Sequence, residues 1–223
     1  MSISATLILA SNSPRRRQLL ALGGWQFTVQ PADVDESRLP GEAPAAYVLR
    51  LAESKARTVA AGAGFETLVV ASDTSVVDVE EILGKPADAT EAAAMLRQLR
   101  AREHFVFTSL AVLRVKDGLL RTDLCRTRVP MRDYTDAEID AYVQSGDPLD
   151  KAGAYAIQHA GFHPVDRLEG CFASVMGLPL CHLTRILTAL GAPAQADVPA
   201  ACQKSLEYHC PIHTAVLRGA DIG

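Results

Sequence analysis

Three consecutive arginines, Arg15, Arg16 and Arg17, stand directly after Ser13-Pro14, where the residue types call for a helix to begin. Ser is a preferred N-cap and Pro a preferred first helical residue. The first turn of a helix already carries partial positive charge from unpaired N–H groups, so arginines there lose up to about 1 kcal/mol each unless an anion is close. A phosphate is the guest that this arrangement invites; a solvated basic patch is the bland alternative. The apolar run before it, Thr6–Leu9, reads as a strand, and open α/β sheets bind ligands beyond the carboxyl ends of their strands.

Further cations and two acids complete the set. Lys55 falls on the same helical face as Val48, Leu51, Ala52 and Val59, which turns an ammonium toward the interior or a cleft. Lys85 follows Gly84 in an exposed turn, and Glu36 sits in the acidic loop Val34-Asp35-Glu36. Asp73 follows the buried strand pattern Leu68-Val69-Val70-Ala71, where an unpaired carboxylate costs several kcal/mol and must meet a cation, a metal or several donors. Carboxylates facing lysines and arginines make a Mg²⁺ and phosphate site capable of phosphoanhydride hydrolysis. On spacing alone, an internal salt-bridge network of Lys55, Lys85 and Asp73 stands beside that reading.

The elements that must position these groups alternate between strand and helix, which points to an α/β fold. Helices are expected over residues 44–61, after the capping pair Asp88 and Glu91, after the capping pair Thr135 and Glu138, and finally over residues 180–190, with Gly191 as the stop. Strands are expected at residues 104–115 and 119–129, joined through Lys116-Asp117-Gly118, and a short one over residues 155–158. Residues 1–190 are read as one unit and residues 191–223 as a tail open to disorder. Its Cys202, His209, Cys210 and His213 match no common zinc spacing.

Composition narrows the class. The 223 residues are 48% hydrophobic and 22% charged with a formal net charge of −4, which suits a small anionic ligand and argues against nucleic acid as partner. No apolar run approaches the ~18 residues of a membrane span, so no membrane partner is expected and the cytoplasm is the default compartment. Five cysteines without dense spacing suit reduced thiols. Gly84-Lys85 lacks the flanking residues of a P-loop, and no glycine-rich dinucleotide fingerprint follows a strand.

Taken in order, several motifs resemble the Maf family of nucleoside triphosphate pyrophosphatases. They are Ser11-Asn12-Ser13-Pro14-Arg15-Arg16, Val34-Asp35-Glu36, Glu53-Ser54-Lys55-Ala56, Ser72-Asp73-Thr74, Gly84-Lys85-Pro86, the run from Asp150 to Gln158, and Gly177-Leu178-Pro179-Leu180. The resemblance implies an α/β fold with a highly twisted mixed sheet, flanking helices and two lobes around a deep cleft, similar to inosine triphosphate pyrophosphatases. It implies hydrolysis of a nucleoside triphosphate to monophosphate and pyrophosphate with a divalent cation, Mg²⁺ or Mn²⁺, and a homodimer.

Position by position, the resemblance makes Asp73 the proton acceptor and Glu36 a second acid, both able to hold the metal. Lys55 and Lys85 join them as catalytic cations of the cleft, while Ser13, Arg15, Arg16, Thr74 and Gln158 would hold substrate. Arg15 and Gln158 match the branch acting on dTTP and UTP. The alternatives are the branch acting on 7-methyl-GTP, which carries Glu where Gln158 stands, and a nucleotide-binding regulator of septum formation without significant catalysis. Two departures bear on the base: His159 stands where the family usually has Gly, and Gly170-Cys171-Phe172-Ala173-Ser174-Val175 replaces a Gly-Ser-Tyr-x-Asn-Val type of sequence.

Overall fold

Alternation of side chains along a strand decides how the layers assemble. In the computed structural model, which describes residues 6–223, β1 (Thr6–Leu9) and β3 (Thr67–Asp78) run parallel, and their odd and even positions enter different cores. Leu7, Leu9, Leu68 and Val70 pack on α1 (Pro14–Ala21) and α6 (Leu180–Ala189), while Ile8, Val69 and Ala71 pack on α2 (Pro44–Ala60). The first five residues of the 1–190 unit lie outside the described residues.

The six-stranded sheet is mixed, as the resemblance implies. Its order is β2-β1-β3-β5-β6, with β2 spanning Phe27–Val29, β5 Glu103–Arg114 and β6 Leu119–Pro130; β4 (Glu81–Leu83) pairs with β3. β2 and β3 flank β1 in parallel, whereas β4 and β5 pair antiparallel with β3 and β6 antiparallel with β5. The far halves of the long strands carry a separate core. Val76, Val106 and Val129 pack there on α3 (Ala89–Leu99) and on Ile139 and Tyr142 of α4 (Asp136–Gln144).

One consequence of this topology positions everything that follows. On the same edge of β3, pairing with β1 ends at Leu9↔Val70 and pairing with β4 begins at Val76↔Leu83. Residues 71–75 therefore have a strand neighbour on the β5 side only. The gap opens the sheet edge between the two packing regions, and Asp73 lies within it.

The local signals behave as their chemistry requires. Asp88 accepts from Glu91 N–H, and Thr135 with Glu138 forms a complete capping box. Two expectations are corrected. Residues 155–158 form no strand: Tyr155 is extended (φ −143°, ψ 152°), but the Ala156 N–H donates to the Tyr142 hydroxyl at 2.9 Å instead of to a strand partner. The helix over residues 180–190 is also not the last. Beyond Gly191, α7 (Val198–Leu206) and α8 (His213–Leu217) follow, and the short α5 (Phe172–Val175) precedes α6.

The tail is fastened at several points. The Trp25 indole donates to Ala192 O at 3.1 Å, Tyr208 OH lies 3.0 Å from both Leu168 O and Gly170 O, and Val198 and Val216 are buried.

Candidate active site

Ser13 caps α1 as the sequence predicts, its Oγ accepting from Arg16 N–H at 3.4 Å with Pro14 at the first helical position. Leu19 and Leu20 bury the other end of the helix and fix its direction. The three arginines then separate. Arg16 turns inward: Nε donates to Gly177 O at 2.9 Å, Nη2 to Thr74 Oγ1 at 3.1 Å and Nη1 to Ser11 Oγ at 3.4 Å. Desolvation lowers its pKa, and the Asp73 carboxylate opposes that shift. Arg15 is half-buried with Nη1 4.0 Å from Asp150 Oδ2, a distance that leaves most of its hydrogen-bonding capacity for a ligand. Arg17 is exposed.

Asp73 and Lys55 meet from neighbouring layers. As an odd position of β3, Asp73 faces α2 together with Val69 and Ala71, and Lys55 stands on the face of α2 that also holds Val48, Leu51, Ala52 and Val59. Lys55 Nζ donates to Asp73 Oδ1 at 2.7 Å and lies 2.6 Å from Glu36 Oε1. Lys55 and Asp73 are 8% and 7% exposed, so solvent does little to screen this pair, while the Glu36 carboxyl remains open to solvent. Burial raises the pKa of Asp73, and Lys55 and Arg16 pull it back. A carboxylate displaced upward yet held among cations is a better proton acceptor than a solvated one.

On the opposite face of β3, the even positions assemble the support. Ser72 Oγ donates to Gly177 O at 2.9 Å, and Thr74 Oγ1 lies 3.0 Å from Thr108 Oγ1, which donates to Ser174 O at 2.8 Å. Gly177 has φ +107°, and a Cβ there would stand 3.2 Å from Arg16 Nε and 3.3 Å from Thr74 Oγ1. The motif Gly177-Leu178-Pro179-Leu180 carried this glycine, but sequence reasoning assigned it no role.

All nine candidate residues line one cleft of about 880 Å³: Ser13, Arg15, Arg16, Glu36, Lys55, Asp73, Thr74, Lys85 and Gln158. Lys85 and Gln158 are exposed in it, and neither side chain has a hydrogen-bond or ion-pair partner among the described residues. Lys85 is thus outside the salt-bridge network that spacing alone allowed, whereas Lys55 and Asp73 are its centre. Lys151 also lines the cleft, where Asp147 Oδ1 at 2.9 Å and Asp150 Oδ1 at 2.6 Å hold its ammonium and tie the turn between α4 and Tyr155 together. Another cleft, of about 970 Å³, lies beside Trp25, Phe27 and Arg114 and contains none of the nine.

Two oxygens at the ion pair are uncommitted. Asp73 Oδ2 and Glu36 Oε2 receive no hydrogen bond among the described residues. Two carboxylates completed by substrate phosphate oxygens are the usual protein share of a Mg²⁺ site. No group of three His, Cys, Asp or Glu side chains among the described residues is placed to hold a metal, so the substrate would have to supply the remaining oxygens.

The sequence profile described as Maf-like protein matches residues 6–190, which span every element from β1 through α6 and all nine cleft residues. The chain belongs to the Maf family. Among its relatives in that family, the dTTP/UTP pyrophosphatase of Anaeromyxobacter dehalogenans is 47% identical over 195 residues, covering 86% of this chain and 98% of the relative. The protein of the same name from Geotalea uraniireducens is 45% identical over 193 residues, with the same two coverages. A solved dITP/XTP pyrophosphatase from Mycobacterium abscessus aligns over 83% of this chain and 94% of its own at 17% identity and a TM-score of 0.44. The Maf match stops before α7 and α8, so these two helices are an addition outside the family profile.

Proposed function

We propose that this Maf protein hydrolyses nucleoside triphosphates, dTTP and UTP foremost, to the monophosphate and pyrophosphate. The observation that carries this reading is the Lys55 ammonium set between Asp73 and Glu36 at a cleft whose other cations, Arg15 and Lys85, have capacity left for phosphates. The pyrophosphatase names of relatives at 45–47% identity support it. Among the described residues no helix is long and apolar enough to cross a membrane.

In this mechanism, Arg15, Arg16 and Lys85 bind the phosphate chain, and Arg16 does so from a fixed position because three protein oxygens hold its guanidinium. Asp73 accepts a proton from the attacking water. The water oxygen joins phosphorus, the anhydride bond to the β-phosphate breaks, and pyrophosphate leaves. Lys55 keeps Asp73 aimed and favours its ionised form. Asp73 and Glu36 would hold a divalent cation, whose chemistry is to neutralise phosphate charge and polarise the phosphorus–oxygen bonds. Gln158 offers both a donor and an acceptor to a pyrimidine edge, which a carboxylate at that position would not.

Pyrophosphate release from dTTP, UTP, CTP, GTP and 7-methyl-GTP, each with Mg²⁺ or Mn²⁺, tests the reading. The expected order places dTTP and UTP first, and Asp73→Asn lowers the rate by about 10²-fold or more, the scale of a lost general base. Fastest turnover of 7-methyl-GTP would overturn the substrate assignment. Tight nucleotide binding without pyrophosphate release would replace the enzyme with a nucleotide-binding regulator.

A further inference from the structure

The cleft lining divides by charge. Arg15, Arg16, Lys55, Lys85, Glu36 and Asp73 form one part, and Lys151 is neutralised by Asp147 and Asp150, while the continuous stretch 156–161 contributes no acidic side chain, no Lys and no Arg. A triphosphate engages the first part, so the second is what a nucleobase meets. His159 stands in that stretch.

The orientation and tautomer of its neutral imidazole are set by its own turn. The backbone N–H groups of Phe162 and Gly161 donate to His159 Nδ1 at 3.0 and 3.3 Å. Phe162 N–H and His163 N–H also reach His159 O, at 3.3 and 3.0 Å, so the turn closes on both the backbone and the side chain of one residue. A ring nitrogen that accepts two N–H bonds carries no hydrogen, and the ring hydrogen therefore resides on Nε2. The ring packs on Tyr142 with centroids 4.6 Å apart at 59°. Tyr142 is itself fixed, stacked on Phe162 at 4.3 Å, donating to Asp147 Oδ2 at 2.7 Å and accepting from Ala156 N–H at 2.9 Å. His159 Nε2 has no partner among the described residues and is not among the occluded polar atoms.

The outward edge is thus a preorganised donor in the cleft that Gln158 also lines. We propose that His159 is a specificity-determining residue whose Nε2–H donates a hydrogen bond to a ring carbonyl oxygen of a pyrimidine base. The inference rests on the reading of the cleft as a triphosphate site. A donor held in place by packing loses little freedom on binding, so it favours bases that present a carbonyl and disfavours those that present an amino group there. Gln158 pairs with the adjacent positions of the same edge.

The test uses the full chain and three nucleotides: UTP, 2-thio-UTP and 4-thio-UTP, in which sulfur replaces one carbonyl oxygen at a time and accepts hydrogen bonds weakly. His159→Asn retains a side-chain oxygen for the Gly161 and Phe162 N–H groups but ends short of the Nε2–H position. His159→Ala removes both functions. For the wild type, one of the two thio substitutions raises KM about three- to tenfold while kcat changes less than about twofold, the scale of one neutral hydrogen bond. In His159→Asn the KM for UTP rises to a similar degree and the penalty for that thio nucleotide disappears, with the thermal midpoint held near wild type.

Persistence of the penalty in His159→Asn, or no penalty from either thio nucleotide in the wild type, overturns the assignment. Equal loss of kcat and thermal stability in both variants assigns His159 to turn closure alone and also overturns it. Failure of the wild type to release pyrophosphate from UTP defeats the functional reading itself, a different result from any of these.

Discussion

Lys55 Nζ and Asp73 Oδ1 stand 2.7 Å apart across the boundary between α2 and the sheet, 18 residues apart in the chain, with both side chains 10% exposed. Glu36 reaches the same ammonium from a solvent-exposed loop. The pair is therefore a structural ion pair and a reactive centre together: the contact that makes a buried carboxylate tolerable also sets how readily it takes a proton.

Removing the cation separates those two roles. In Lys55→Met, Asp73 keeps its burial and loses its nearest opposing charge, so its pKa, already raised, moves higher. The acid limb of kcat/KM shifts to higher pH than in wild type. At neutral pH the variant is destabilised by about 3 kcal/mol, the scale for stranding one member of a buried pair. A group whose folded pKa is raised above the unfolded value disfavours folding above that folded pKa, and the penalty vanishes below the unfolded value of about 3.8, where it is protonated in both states. Denaturant unfolding at pH 4 and pH 7.5 measures this. A loss of equal size at both pH values would assign the damage to packing instead.

Gly177 makes a second sharp prediction. Its φ of +107° is strained for any L side chain, and an added Cβ meets Arg16 and Thr74 rather than empty space. Gly177→Ala is expected to displace the Arg16 guanidinium from Gly177 O and to lower kcat/KM for triphosphate at least tenfold, with destabilisation of about 1 to 3 kcal/mol. Kinetics and thermal unfolding of the same preparation check both effects. Unchanged kinetics in a destabilised protein would show that Arg16 needs no such positioning.

The third prediction concerns the tail. His182 is buried on α6 between Asp123 of β6, 3.1 Å from its Nδ1, and Ile222 O, 3.0 Å from its Nε2. Burial pulls its pKa down, but Asp123 and Cys125 outweigh this and raise it to about 9. The stabilisation is fully present below the unfolded pKa of about 6.5 and is lost as pH rises through about 9, on the order of 3 kcal/mol in all. Thermal midpoints from pH 6 to pH 10 therefore fall across that window in wild type, and His182→Gln flattens the fall. Asp221 and Asp123 both meet Arg185 Nη2, at 3.0 and 2.7 Å, so the same residues fasten the end of the chain.

What the sequence by itself determined is everything set within a turn or two of chain. Ser13 and Pro14 start α1, Asp88 and Thr135 cap their helices, and the spacing on α2 puts Lys55 inward, because capping and amphipathic periodicity are local. The order of motifs carried the family. Tertiary structure alone decided the rest. Asp73 looked like a residue after a strand and lies inside one, since β5 continues the pairing past the point where β1 stops. Residues 155–158 have a strand-like composition, but no strand edge is offered to them, and a tyrosine hydroxyl takes the Ala156 N–H instead. Arg16 and Arg17 are equivalent in sequence, yet one is clasped by Ser11, Thr74 and Gly177 while the other faces solvent. The inward position of Arg16 depends on Gly177 O, 161 residues away, and no local pattern encodes a contact across that distance.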